Sequence, residues 1–170
     1  MNLEITLKSQ LYALKELIVI SLVYFGFIFF LFVKVEFNLF KILFLSTLFL
    51  YLLVFFLPVI ILHINYLEKN KYKCLLIDKN KLILGDVPYS IDNIEEINIF
   101  ATYQHFNDSV GVSALPYNDY YYYLEICLND GGKIFVSSLF HYKIDKIFKD
   151  NFSSIRINEK PSTFISLLIR

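Results

Sequence analysis

Two hydrophobic rhythms divide the chain. Residues 17–33 (LIVISLVYFGFIFFLFV) carry no charge and show no polar face. At 1.5 Å per residue they extend about 25 Å. Adding Leu11 to Leu14, with Lys15 free to reach the headgroups, brings them to the depth of a ~30 Å hydrocarbon layer. Residues 42–62 (ILFLSTLFLYLLVFFLPVIIL) repeat the pattern. Their Pro58 stands near the end, where neighbouring groups can satisfy the carbonyl it frees. These runs predict helices over about 13–33 and 41–64. The short link 34–41 makes them a transmembrane hairpin with both ends on one side.

Beyond residue 68 the period falls to two. YKCLLID (72–78) and residues 81–84 read as paired strands around an Asp-Lys-Asn-Lys turn. Ile97 and Ile99 alternate with Glu96 and Asn98. Tyr122, Leu124, Ile126 and Leu128 alternate with Tyr121, Tyr123, Glu125 and Cys127. Asn129-Asp130-Gly131-Gly132 supplies a hairpin turn and residues 133–137 the returning strand. Phe140, Ile144, Ile147, Phe148 and Phe152 then fall on one stripe of an amphipathic helix, with Ser138 placed to cap it. Residues 153–158 are compatible with one more strand. The expected fold class is an α+β membrane protein: residues 1–68 form the N-terminal segment and hairpin. Residues 69–170 form a small antiparallel β domain closed by a C-terminal helix, able to fold alone.

Composition supports two solvents for one chain. Hydrophobic residues make up 56% and mean hydropathy is +0.53, too apolar for an ordinary soluble domain. Lys34-Val35-Glu36-Phe37 offers no small-residue cleavage site, against a signal peptide. Lys8, Lys15, Lys69, Lys71 and Lys73 outweigh Lys34 and Lys41, so both termini are expected in the cytoplasm and the protein in the inner, cytoplasmic membrane. Usage rich in Phe, Ile, Leu, Tyr, Asn and Lys, without Trp, suggests an A+T-rich bacterial genome. Net charge is zero and acidic and basic residues nearly cancel after Asn65, which argues against a nucleic-acid partner. Cys74 and Cys127, each inside a strand, are expected as buried, reduced thiols. No ionisable residue interrupts either apolar run, against ion transport. Ser21, Ser46 and Thr47 are expected to bond within their helices or across the hairpin, and Gly26 to permit close helix approach.

The run LLIDKNKLILGDVPYSIDNIEEINIF resembles the opening of bacterial pleckstrin-homology-like (PH-like) domains, in which a strand pair is followed by a short Ile-x-x-Ile turn and a third strand. YYYYLEICLNDGGKIFVSS with its following helix is similar to their second half. The resemblance covers about residues 71–152 and is one of hydrophobic alternation, with no catalytic motif. It implies a PH-like fold. Phosphoinositide binding is not carried over, because a near-neutral domain already tethered to a bilayer needs no such signal, so a specific headgroup is not expected as a ligand.

No chemistry stands out. His63, His105 and His141 lack partners at metal-ligand spacing and are expected at the bilayer interface, in solvent or as caps. No phosphate loop and no hydrolase or zincin motif occurs. No catalytic residue, cofactor or metal is expected, and the chain is not expected to be an enzyme. The run Tyr120 to Tyr123 is the oddest feature. Tyr121 and Tyr123, with Leu115 and Tyr117 of the preceding loop, form a candidate surface for a protein partner. The expectation is a membrane-anchored, non-catalytic interaction or regulatory module whose partners are the lipid bilayer and another protein. The alternative is an accessory or self-protection (immunity-type) membrane protein acting through its helix pair.

Overall fold

A computed structural model describes residues 1–70, 74–78, 81–107, 120–163 and 167–168. The chain opens with strand β1 (Asn2–Glu4), helix α1 (Leu7–Ala13), and the first apolar helix, α2 (Lys15–Lys34). Only Val35 and Glu36 separate α2 from α3 (Phe37–Tyr51), a tighter hairpin than the expected link at 34–41. One π-helical turn (Leu52–Phe56) joins α3 to α4 (Leu57–Asn70). Pro58 has no N–H to donate to the carbonyl four residues back. The Leu57 N–H bonds to Leu52 O, five residues back, and the helix stays continuous from Phe37 to Asn70. This second helix therefore outruns its expected end at 64.

The apolar helices pair antiparallel through aromatic contacts. Phe32 meets Phe40 at 5.3 Å and Tyr24 stacks on Tyr51 at 4.5 Å, where the Tyr51 and Ser21 hydroxyls hydrogen-bond. Ser46 and Thr47 donate to Leu43 O, within their own helix. Gly26 does not mediate this packing. A Cβ there would meet nothing within 4 Å, because the glycine faces outward. The most apolar stretches of the two long helices are only 6% and 17% buried.

The β domain consists of two four-stranded sheets. The first has order β1-β2-β3-β4, all antiparallel, with β2 (Cys74–Asp78), β3 (Lys81–Leu84) and β4 (Val87–Ser90). Strand pairing crosses the boundary expected at 68/69. Asn2 pairs with Leu76 and Glu4 with Cys74, so the strand before the helices completes the sheet that follows them. A three-residue strand has too little periodicity to be read from sequence. Gly85 turns β3 into β4 at φ +64°, a conformation that favours glycine.

A 3₁₀ turn (Ile91–Asn93) at the Ile-x-x-Ile position leads into the second sheet, of order β7-β6-β5-β8. Strands β5 (Ile94–Thr102), β6 (Tyr123–Leu128) and β7 (Lys133–Ser137) are antiparallel. After β5 comes a helical turn, α5 (Tyr103–Asn107), where a loop was expected. Strand β8 (Arg156–Ser162) lies parallel to β5 and later than the expected 153–158. Between the sheets lies the core: Leu3, Leu75 and Leu82 meet Ile97, Tyr122 and Leu124. Helix α6 (Ile144–Asn151) closes it with Ile144 and Phe148, followed by Phe152, all fully buried. The helix begins later than expected and Ser138 does not cap it. The Ser138 hydroxyl accepts from Tyr122 N instead.

Candidate functional site

The extended chain leading into β6 gives successive tyrosines opposite fates. Tyr122 points into the core, while Tyr121 and Tyr123 point outward, on the face that also carries Phe100 of β5 and Phe135 of β7. That face is not free. The end of α4 lies across it, burying Leu62 and Tyr66. The Tyr66 ring stands edge-on to Tyr121 at 5.7 Å and to Tyr123 at 6.2 Å, and Phe100 stacks on Tyr123 at 4.9 Å. His63 Nδ1 hydrogen-bonds the Tyr121 hydroxyl at 3.1 Å, and Lys69 Nζ lies 5.1 Å over Phe135. Burial, then the neighbouring Tyr120, raises the Tyr121 hydroxyl far above an ordinary phenol, so it stays a neutral hydrogen-bonding group.

Tyr121 is fully buried and Tyr123 nearly so, which corrects the expectation of an exposed partner surface at these two residues. The physical reason is the length of α4: its added turns reach the tyrosines and consume them in intramolecular packing. Leu115 and Tyr117 lie outside the described residues.

Sequence reasoning missed a second cluster. Tyr122, immediately before β6, His105 of α5 and Asp145 in the first turn of α6 meet at the end of the core. The Tyr122 hydroxyl donates to Asp145 Oδ1 at 2.9 Å and accepts from Asp145 N at 3.4 Å. His105 Nε2 donates to Asp145 Oδ2 at 3.2 Å, with its ring 4.2 Å from that of Tyr122. Burial by itself would raise the Asp145 carboxyl, but the bonds from His105 and Tyr122, the electrostatic influence of His105 and the Lys146 N–H outweigh it and hold the group at about 2. His105, expected in solvent or as a cap, is instead a half-buried partner of a buried carboxylate. No spacing rule joins residues 105, 122 and 145, since three separate elements bring them together. Burial, then Asp145, pushes the Tyr122 hydroxyl well above the phenol range, so it stays a neutral hydrogen-bonding group. His141 accepts from Lys143 N at 3.2 Å, a local cap.

The remaining polar features are structural in geometry. Glu96 accepts from Asn98 and Asn158, each at 2.9 Å, tying β8 to β5, and the Asn98 bond leads in lowering the Glu96 carboxyl. Cys74 and Cys127 are free thiols on different sheets. Burial, then the Glu125 charge, raises Cys127 and leaves it a poor nucleophile. Among the described residues no three His, Cys, Asp or Glu side chains group to hold a metal ion. A groove of about 380 Å³ opens between α1 and the β domain, lined by Lys8, Tyr12, Tyr120, His141 and Tyr142 among others.

Two stacked sheets, a core filled from both and a helix closing it form a recognisable architecture, and a PH-domain family model matches residues 3–145. The chain belongs to the PH-domain family. The match begins inside β1 and ends in the first turn of α6, so β1 belongs to this PH domain although both apolar helices separate it from β2. No curated protein and no solved structure matches the chain. Membership of a generally non-catalytic family supports reading the chain as an interaction module.

Proposed function

We propose that this PH domain is a membrane-anchored, non-catalytic interaction or regulatory module. Its own helical hairpin holds it at the cytoplasmic face of the bacterial inner membrane. The observation that carries this reading is the hairpin surface. Leu22, Phe29, Phe30, Ile42 and Phe49 are all exposed on two adjacent helices. An apolar surface of that extent is unstable in water and matched by lipid. The lysine bias toward the helix ends that join the β domain supports the cytoplasmic orientation. A protein partner would meet the PH domain away from Tyr121 and Tyr123, with Leu115 and Tyr117 as candidate contacts.

Membrane fractionation and thiol labelling test this. The protein should stay in the membrane pellet through alkaline carbonate. Cys74 and Cys127 should resist an impermeant maleimide in intact cells and react after lysis and denaturation. Release by carbonate overturns the anchoring, and labelling in intact cells reverses the orientation.

One observation favours the helix pair as the acting part. The tyrosine face is spent on α4, while the hairpin keeps an extensive exposed apolar surface among the described residues. Exchanging Leu22, Phe29 and Phe49 for other apolar residues should spare an anchor and abolish a specific intramembrane contact.

A further inference from the structure

Helix α1 is where the membrane helices meet the PH domain, and its surface suits neither water nor the core. A reciprocal capping box starts it: Ser9 N donates to Thr6 Oγ1 at 3.2 Å and Thr6 N to Ser9 Oγ at 3.1 Å. Ala13 packs inward on the cluster formed by Leu17, Val59 and Leu62. The opposite stripe is apolar and open. Leu7 is 72% and Leu11 50% exposed, one helical turn apart, and the stripe continues through Ile18 onto the outer face of α2.

The hairpin's register sets the depth of this stripe. Phe32 lies beside Phe40 and Ser21 beside Tyr51, so each residue back along the first helix matches one forward along the second. That register places Ala13 beside Val59, with which it clusters, and carries Leu11 to the level of Ile61. Ile61 and Ile64 are themselves 52% and 50% exposed. Two different helices thus present bare aliphatic residues at one level, beyond the end of α2 at Lys15.

Around this level stand the groups that favour a headgroup layer. Tyr12 contacts Tyr120 at 5.5 Å and Tyr142 at 5.2 Å. Lys15 lies 4.2 Å over Tyr12, and Lys143 lies 5.2 Å over Tyr142. Amphipathic rings beside flexible cations are the composition of a bilayer interface.

We propose that α1 and the Tyr12–Tyr120–Tyr142 face of the PH domain form an interfacial platform. In it Leu7 and Leu11 enter the acyl boundary and the tyrosines and lysines stand among the headgroups. The domain then rests on the lipid surface instead of standing clear of it on α4. This rests on the membrane-anchored reading above, and the experiment separates the two.

The chain has no tryptophan, so a single one reports its own surroundings. Leu11→Trp, Leu22→Trp in the middle of α2 and Val87→Trp on the exposed edge strand β4 are compared in the full chain, reconstituted in phosphatidylcholine–phosphatidylglycerol vesicles. Lipids brominated near the headgroup end or deep in the chains serve as quenchers. The expected result is deep quenching of Leu22→Trp. Leu11→Trp should emit to the blue of Val87→Trp and be quenched most by the shallow bromines. Quenching at residue 22 with water-like, unquenched emission at residue 11 overturns the platform and leaves the anchor standing. Absence of quenching at residue 22 overturns the anchor, and the platform with it.

Discussion

Leu3 and Leu75 face each other across the β1–β2 pair, and the whole membrane-type hairpin lies between them in the chain. Both side chains are buried in the inter-sheet core. The hairpin is therefore an insertion between two adjacent strands, and a truncation from the N-terminus that removes it also removes the first strand from the sheet.

Leu3→Ala should lower the stability of the β domain by about 2–4 kcal/mol, the cost of emptying a core leucine site. A denaturant melt of the β circular dichroism signal in detergent checks this. A melt like that of the parent protein would mean β1 is dispensable. For the same reason a fragment of residues 69–170, lacking β1, should fail to melt cooperatively, contrary to the autonomy expected from the sequence.

Tyr121 couples the domain to α4. Tyr121→Phe deletes the bond to His63 and should cost about 1 kcal/mol. Tyr121→Ala also empties a fully buried ring site and should cost about 3–5 kcal/mol. The larger change should open the junction between α4 and the sheet to limited proteolysis. Unchanged stability with reduced partner capture would instead return Tyr121 to an exposed binding surface.

Asp145 makes part of the stability acid-sensitive. Its carboxyl is held at about 2, below the ordinary 3.8. The contribution is thus fully present above pH ~4 and is lost as pH falls toward ~2. Asp145→Asn should remove this component and leave Tyr122 and His105 less well satisfied, costing about 1–3 kcal/mol near neutral pH. Melts between pH 6 and 2 should show the difference between the two proteins shrinking in that acid window. A constant difference would show that the carboxylate's charge plays no part.

Within α6, burial ranks the stripe. Phe148 is fully buried and Ile147 half-buried. Phe148→Ala should cost about 3–5 kcal/mol and Ile147→Ala clearly less. Equal costs would mean that the helix is rotated about its axis relative to the core described above.

The candidate site divides along the same lines as the fold. The alternation of Tyr121 and Tyr123 against Tyr122 and Leu124 was legible, because a strand's side chains take opposite faces whatever lies beyond them. What covers each face was not, since it depends on how far α4 runs, and its last turns, NYLEKN, are too polar to extend an apolar run. Likewise nothing local marks His105, Tyr122 and Asp145 as neighbours. Each is unremarkable in its own segment, and their hydrogen bonds exist only when α5 and α6 close on the end of β6.

By itself the sequence determined the two apolar helices, the strand periods of β2, β5, β6 and β7, the glycine turns and the closing helix. These follow from local rules: uncharged length, alternation, φ preference and a helical stripe. The tertiary structure alone decided that Asn2–Glu4 is a strand of the later sheet, that β8 runs parallel to β5, and that Tyr121 and Tyr123 face α4 instead of solvent. Each of these is a pairing between distant segments. Its free energy comes from hydrogen bonds and buried area shared by two pieces of chain, so neither piece carries its signature alone.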